Sequence, residues 1–150
     1  MQGKVALIIP VKDEENSIGI LLESLKEQKR QPDEIIITDG GSKDKTVEII
    51  ESYRKGGAPI KLIKTERAYP GKGRNIAIEH SNCDWIAMTD AGIRLDKNWL
   101  EDLVRPLEER RDLDGVYGNY EPVVNSFFKE CLAIVFVPAS TFINGRKMRS

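Results

Sequence analysis

Short β-branched apolar runs alternate with helical patterns along most of this chain, and this alternation constrains the fold more than any other feature. After the first run, Ser17 offers a helix N-cap, and leucine and isoleucine residues follow at helical spacing. The pattern recurs, and it predicts strands over residues 4–10, 34–38, 60–63 and 85–89. Strands that alternate with helices in this way imply right-handed crossovers and a mostly parallel α/β sheet flanked by helices.

The bulk composition fits one domain over residues 1–150 and excludes several classes of function. Of the 150 residues 40% are hydrophobic, which is enough to bury a single core. Lys and Arg total 23 against 24 Asp and Glu, so the net charge of -1 predicts no nucleic-acid partner and no general attraction to anionic membranes. Two cysteines and one histidine are too few for a zinc finger or a disulfide framework, and they favour a cytoplasmic setting.

The last third of the chain has a weaker pattern. A helix that begins after Asp96 is expected to end or bend at Pro106, because proline lacks the amide donor. Residues 116–120 are a weaker strand candidate, and a helix is expected from Asn125 with no clear element after it. The C-terminal part is therefore interpreted as truncated. The apolar run 131–137 is shorter than the ~20 residues that cross a bilayer, so any membrane association is expected to be peripheral, at the inner face.

Acidic residues follow three of the predicted strands. Asp13, Glu14 and Glu15 come after the first strand, Asp39 after the second and Asp90 after the fourth. Because ligands of parallel sheets bind beyond the carboxyl ends of the strands, we expect these loops to converge on one site. For any single loop, a solvated turn or a helix-capping carboxylate is the alternative.

Four segments carry a resemblance to a known family. Residues 10–14, Pro-Val-Lys-Asp-Glu, are similar to the Pro-x-Tyr-Asn-Glu opening of family-2 glycosyltransferases. Residues 39–46 look like their Asp-Asp/Gly-Gly-Ser-x-Asp-x-Thr segment, and residues 73–75 resemble their Arg-Asn stretch. Residues 90–92 stand where the family carries Asp-x-Asp. The chain thus resembles a family-2 glycosyltransferase with the Rossmann-like GT-A fold.

The resemblance implies a substrate and several site residues. The implied reaction is transfer of a sugar, with inversion, from a nucleoside-diphosphate sugar to an acceptor hydroxyl. Pro10, Val11 and Glu14 would line the nucleoside pocket, and Asp39 would accept a hydrogen bond from the base. Gly40 would let the chain turn tightly beside the ligand, although a plain turn explains a glycine equally well.

A basic, glycine-rich loop is expected to bind the diphosphate. Residues 70–73 lead into a predicted helix N-terminus, where free amides and the helix dipole favour anions. Lys72 and Arg74 add positive charge, and Arg74 is expected to pair with Asp90 and orient it. A lysine and an arginine in an exposed turn are the alternative.

Asp90 is the candidate metal ligand. The resemblance implies that Asp-x-Asp carboxylates hold Mn or Mg at the donor's phosphates, and such hard cations prefer oxygen ligands. Gly92 takes the place of the second carboxylate here, which argues against a full site. Two alternatives stay open: Asp90 binds the cation with water and phosphate, or Lys72 and Arg74 replace its charge.

The catalytic base is not assigned by the sequence. Inverting transfer needs a carboxylate that takes the acceptor's proton, and the resemblance implies a base downstream of the matched region. Glu121 and Glu130 are the acids there, and neither stands in a recognisable motif. A non-catalytic nucleotide-sugar-binding module, or an inactive fragment, is therefore the alternative to an enzyme. The apolar stretch 127–142 suggests a homo-oligomer.

Overall fold

The computed structural model describes residues 3–110, 112–118, 140–143 and 146–149. Its main sheet has four parallel strands in the order β3-β2-β1-β4. These strands are β1 (Val5–Val11), β2 (Glu34–Asp39), β3 (Ile60–Lys64) and β4 (Trp85–Met88). The helices are α1 (Ile18–Lys26), α2 (Thr46–Lys55), α3 (Pro70–Glu79) and α4 (Trp99–Glu109). The predicted parallel α/β sheet is confirmed, and each predicted strand end lies within one residue of the observed end.

Strand alternation sorts the core onto the two faces of the sheet. Leu7 and Ile9 of β1 pack with apolar side chains of α1 and α2 on one face. Val5 points to the same side and packs against α4. Ile8 and Ile36 face the other way, against Ala77 of α3. Strand β1 is therefore buried on both faces, which explains its unbroken apolar run.

Two polar side chains hold the loop between β4 and α4. Ser24 belongs to α1, and Gln28 follows the C-terminal end of α1. The Gln28 side chain is buried, and its amide nitrogen donates to the Asp96 carbonyl at 2.6 Å while its oxygen accepts the Leu100 amide at 3.1 Å. The buried Ser24 hydroxyl accepts the Leu95 amide at 3.2 Å. This anchoring fixes the far end of the loop that begins with the predicted ligand Asp90.

Helix α4 continues through Pro106, so the prediction that it ends there is wrong, and the alternative of a bend at Pro106 stays a prediction. A proline removes one intrahelical donor, but its carbonyl still accepts the amide of Arg110 at 3.0 Å. The helix ends at Glu109, so only one further turn follows the proline. The strand expected at 116–120 is also wrong for residues 116–118, which form no regular element; residues 119 and 120 lie outside the described residues.

The chain divides into two compact units, Met1–Val116 and Tyr117–Ser150. The second unit contains an antiparallel pair, β5 (Ser140–Ile143) and β6 (Arg146–Arg149), where the sequence suggested no closing element. The helix expected from Asn125, the apolar run 131–137, and the acids Glu121 and Glu130 lie outside the described residues. One domain over 1–150, truncated at its end, stays a prediction. In the described part of the chain, no helix has the length and apolar character to span a membrane.

Replacing Gln28 by methionine is expected to lower the free energy of unfolding by about 2–3 kcal/mol, because the Leu100 amide and the Asp96 carbonyl lose their partner inside the protein. Denaturant unfolding measures the change. The matched control is Glu27→Gln on an exposed neighbour, which should stay within about 0.5 kcal/mol of the unmodified chain. A Gln28→Met variant as stable as the control would contradict the anchoring role.

Candidate functional site

A cleft of about 250 Å³ opens at the carboxyl edge of the sheet. Residues from the ends of β1 and β2, the start of α3 and the loop after β4 form its walls. They are Pro10, Val11, Lys12, Glu14, Thr38, Ala68, Tyr69, Pro70, Gly73, Arg74, Asp90 and Ala91. Five of the eight predicted site residues are among them: Pro10, Val11, Glu14, Arg74 and Asp90. The loops after β1 and β4 therefore meet at this cleft, whereas the loop after β2 contributes none of the residues that line it. The binding role of each residue stays a prediction.

Asp39 does not line the cleft, although its neighbour Thr38 does. Successive strand residues point to opposite faces, so Thr38 lies on the α3 side and Asp39 on the side of α1 and α2. The Asp39 carboxylate is buried and accepts the amides of Gly41 at 3.1 Å and Ser42 at 3.2 Å. It also accepts the Ser42 hydroxyl at 2.5 Å. In this structure Asp39 shapes its own loop.

The loops after β1 and β2 are held together by reciprocal hydrogen bonds. The Asp13 amide donates to the Ser42 hydroxyl at 2.9 Å, and the Asp13 carboxylate accepts the Lys43 amide at 2.8 Å. The Glu15 carboxylate accepts the Lys45 amide at 3.0 Å. Asp13 adopts a φ of 54°, which a non-glycine residue rarely takes without such support. For Asp13 and Glu15, the alternative of a structural loop carboxylate therefore holds.

A third contact between these loops involves Thr46, Asp44 and Glu14. The Thr46 hydroxyl donates to Asp44 at 2.5 Å and accepts the Glu14 amide at 2.7 Å. Burial acts to raise the pKa of Asp44, but hydrogen bonds from Thr46 and from the Glu15 amide together lower this pKa below its usual value. The contribution of ionised Asp44 to stability is therefore present at neutral pH and is lost only as the pH falls through that lowered pKa.

Ser17 precedes α1 as expected, but its hydroxyl makes no capping bond to the helix. Instead it donates to the carboxylate of Glu14, and to the Glu14 carbonyl at 3.3 Å. A carboxylate that accepts a hydrogen bond from a neighbouring hydroxyl is restricted in orientation. Ser17 thus orients the one acidic side chain of the first loop that lines the cleft.

Gly40 and Gly41 allow the loop after β2 to touch the loop after β3. A Cβ at Gly40 would lie 2.4 Å from the Ala68 carbonyl oxygen, and one at Gly41 would lie 2.4 Å from that of Glu66. Gly41 also has a φ of +89°, which favours glycine. Contact between the two loops accounts for both glycines, whereas the sequence had pointed to a ligand or a plain turn.

Residues 70–73 form the first turn of α3, so the loop expected there is wrong. Pro70 occupies the first helical position, where its missing amide removes no hydrogen bond. The Gly73 amide already donates to the Tyr69 carbonyl at 2.9 Å, which leaves the amides of Gly71 and Lys72 without a partner inside the helix. Lys72 is exposed and does not line the cleft.

Arg74 and Asp90 form the predicted ion pair. Arg74 Nη2 lies 2.5 Å from Asp90 Oδ1, and both residues line the cleft. The pair links α3 to the loop after β4. Gly92 follows in that loop with no atom within 4 Å of a Cβ built on it. Within the described ranges, no group of three or more His, Cys, Asp or Glu side chains could hold a metal ion.

Sequence reasoning missed Thr38, Ala68 and Tyr69 as parts of the cleft. Ala68 and Tyr69 belong to the loop that precedes α3, and no motif marks them. For Thr38 a signal existed, because strand alternation next to Asp39 assigns the two side chains to opposite faces. The Thr38 hydroxyl is buried and has no hydrogen-bond partner among the described residues, which is unusual for a polar atom inside a protein.

Known proteins resemble this chain in both sequence and fold. The model of the family described as Glycosyl transferase family 2 matches residues 6–138. Poly(ribitol-phosphate) beta-N-acetylglucosaminyltransferase TarS of Staphylococcus aureus is 29% identical over 152 residues, 95% of this chain and 25% of TarS. Lipopolysaccharide core biosynthesis glycosyltransferase LpsC of Rhizobium meliloti is 36% identical over 86 residues, 57% of this chain and 30% of LpsC. The chain thus spans a quarter to a third of these relatives.

Solved structures show the same fold. S. aureus TarS 1-349 in complex with UDP-GlcNAc has a TM-score of 0.66 and 28% identity, covering 79% of this chain and 37% of that one. The mannosyltransferase PcManGT from Pyrobaculum calidifontis, in complex with GDP-Man and Mn²⁺, has a TM-score of 0.57 and 25% identity, covering 61% of this chain and 28% of that one. The parallel sheet and its helices therefore belong to the GT-A fold, as the sequence predicted.

Two buried threonines should respond in opposite directions to the same substitution. Thr38→Val removes a hydroxyl that has no partner, so the free energy of unfolding should rise by about 1 kcal/mol. Thr46→Val removes a hydroxyl that is hydrogen-bonded to both Asp44 and the Glu14 amide, so the free energy of unfolding should fall by about 1–3 kcal/mol. Denaturant unfolding of the two variants checks the signs, and equal destabilisation would contradict the assignment.

Gly40→Ala should lower the free energy of unfolding by about 1–3 kcal/mol, because its Cβ meets a backbone oxygen that cannot rotate away. Gly19→Ala is the matched control, since no atom of the described residues lies within 4 Å of a Cβ built at this half-buried helical position. The control should gain up to about 1 kcal/mol from alanine's higher helix propensity. Thermal unfolding compares the pair, and an unaffected Gly40→Ala variant would rule out the close contact between loops.

Proposed function

The chain belongs to glycosyl transferase family 2, and from this premise we propose that it binds a nucleoside-diphosphate sugar in the cleft at the carboxyl edge of its sheet. The proposed reaction transfers the sugar to an acceptor hydroxyl with inversion. The observation that carries the proposal is the Arg74–Asp90 pair, which lines the cleft beside the first turn of α3. The TarS structure with UDP-GlcNAc supports the choice of donor class.

The first turn of α3 is the proposed diphosphate subsite. The amides of Gly71 and Lys72 have no partner inside the helix, and the positive end of the helix dipole lies at the same place. The Arg74 guanidinium offers further donors besides the one that contacts Asp90, and a planar guanidinium suits phosphate oxygens. The exposed Lys72 side chain is free to add charge without lining the cleft. These groups together would stabilise the departing nucleoside diphosphate.

Asp90 is the residue that would hold a divalent cation. Its Oδ1 contacts Arg74, and its Oδ2 has no partner among the described residues. Gly92 supplies no second carboxylate, so the remaining ligands would be phosphate oxygens of the donor and water. The PcManGT structure is a complex with both GDP-Man and Mn²⁺, which supports Mn²⁺ or Mg²⁺ as the cation to test. Bound there, the ion would neutralise charge on the leaving diphosphate.

The nucleoside is proposed to lie against Pro10, Val11 and Glu14, which line the cleft. The base hydrogen bond predicted for Asp39 stays a prediction. It requires the Asp39 carboxylate to accept a further donor in addition to Gly41 and Ser42, or to exchange one of them. Gly40 was predicted to let the chain turn tightly beside the ligand. Its link to the cleft is indirect, because Gly40 contacts Ala68 and Ala68 lines the cleft.

A non-catalytic nucleotide-sugar-binding role is the second candidate, and Gly92 favours it because the chain lacks one expected carboxylate. The acceptor, the catalytic base, a homo-oligomer and a cytoplasmic location stay predictions. Donor hydrolysis separates the two candidates: release of free sugar above background indicates chemistry at the cleft, whereas binding without hydrolysis favours the non-catalytic role.

Arg74→Ala should weaken binding of UDP or GDP about 10- to 100-fold, because a charged hydrogen-bond donor to phosphate is lost, and Arg74→Lys should recover part of the loss. Asp90→Asn should weaken binding in Mn²⁺ but not in its absence, since it removes the cation ligand and frees Arg74. Isothermal titration calorimetry measures each affinity. Arg105→Ala is the control, because Arg105 pairs with Asp102 on α4. No binding of UDP, GDP or dTDP, with or without Mn²⁺, would contradict the proposed function.

A further inference from the structure

We propose that the ring of Tyr69 is the surface on which the donor's nucleobase stacks, an inference that rests on the proposed function. Tyr69 lines the cleft and is 67% exposed. Among the described residues that line the cleft, Tyr69 is the one with an aromatic side chain. Lys12 stands at the position where the resembled motif has tyrosine, so the first loop offers no ring. In the described part of the chain, a base entering this cleft therefore meets an aromatic side chain only at Tyr69, just before α3.

The Tyr69 ring is held in place before any ligand binds. Arg67 Nη2 donates to the Tyr69 hydroxyl at 3.0 Å, and the Arg67 guanidinium carbon lies 5.7 Å from the ring centroid. The backbone of Tyr69 is fixed as well, because Tyr69 is the N-cap residue of α3 and its carbonyl accepts the Gly73 amide. A ring that is ordered in advance loses little freedom on binding, so stacking on it yields more affinity.

The location of Tyr69 favours contact of its ring with the donor's nucleobase rather than with the donor's sugar. Its neighbour Ala68 lies against Gly40, at the end of β2. From there α3 passes over Pro10 at the end of β1, and Arg74 reaches Asp90 after β4. Along α3, Tyr69 is therefore on the β2 side of the cleft and Arg74 is on the β4 side, and the free amides of Gly71 and Lys72 come between them in the chain. A donor whose phosphates contact Arg74 can place its nucleoside toward Tyr69.

Tyr69→Ala should weaken binding of UDP and of UDP-GlcNAc by the same factor, about 5- to 100-fold, since base stacking on an aromatic side chain contributes that much affinity. Tyr69→Phe keeps the ring and should bind within about threefold of the unmodified chain. Inorganic pyrophosphate, which has no base, should bind the unmodified chain and Tyr69→Ala equally. Isothermal titration calorimetry measures all three ligands. Ile20→Ala is the matched control, because it removes an exposed apolar side chain from α1, on the other face of the sheet.

Four results would overturn the inference. Unchanged UDP affinity in Tyr69→Ala shows that the ring does not contact the nucleotide, while the proposed function stands. A loss confined to UDP-GlcNAc assigns the ring to the sugar instead of the base. A loss for pyrophosphate equal to that for UDP indicates a general change at the start of α3, and the melting temperature of the variant checks this. Failure of the unmodified chain to bind any nucleotide removes the proposed function itself, and the Tyr69 inference with it.

Discussion

Parallel pairing of β1 with β2 on one side and β4 on the other is the constraint on which the rest of this structure depends. Val11 lies opposite Asp39, and Ile8 lies opposite Met88, so the loops that follow all three strands leave the sheet at one edge. The apolar core sets this register, because a slip by one residue would turn the two buried faces of β1 over. Core packing thus decides which polar side chains meet in the cleft.

Carboxylates at that edge divide into two groups with different physical roles. Those of Asp13, Glu15 and Asp39 accept backbone amides and hold the loops in shape. Glu14 and Asp90 instead line the cleft, each in contact with a side-chain donor. An acidic residue in a loop at a strand end therefore does not by itself indicate a ligand-binding role. Three of these five carboxylates organise the backbone that surrounds the site.

The sequence was sufficient for the four strands of the main sheet, their parallel direction and the Arg74–Asp90 pair, because hydrophobic period and motif spacing can be read from the chain directly. It was insufficient where a residue's role depends on partners distant in the chain. Residues 70–73 read as a loop from their glycines, yet packing of Gly73 against Pro10 lets a helix start at Pro70. Pro106 was expected to end or bend α4, but the helix continues to Glu109, because the loss of one donor near the end of a helix is tolerated. Thr38 was overlooked because Asp39 beside it carries the charge.

The contact of Gly40 and Gly41 with the carbonyl oxygens of Ala68 and Glu66 joins two loops that come from different strands. A Cβ built on either glycine would lie 2.4 Å from the facing carbonyl oxygen, so the contact leaves no space for a side chain at these two positions. An insertion or deletion in one of them would separate the touching carbonyls and glycines unless the other changed in step. Among related chains, the lengths of these two loops should therefore vary together, so the evolutionary freedom of each is limited by the other.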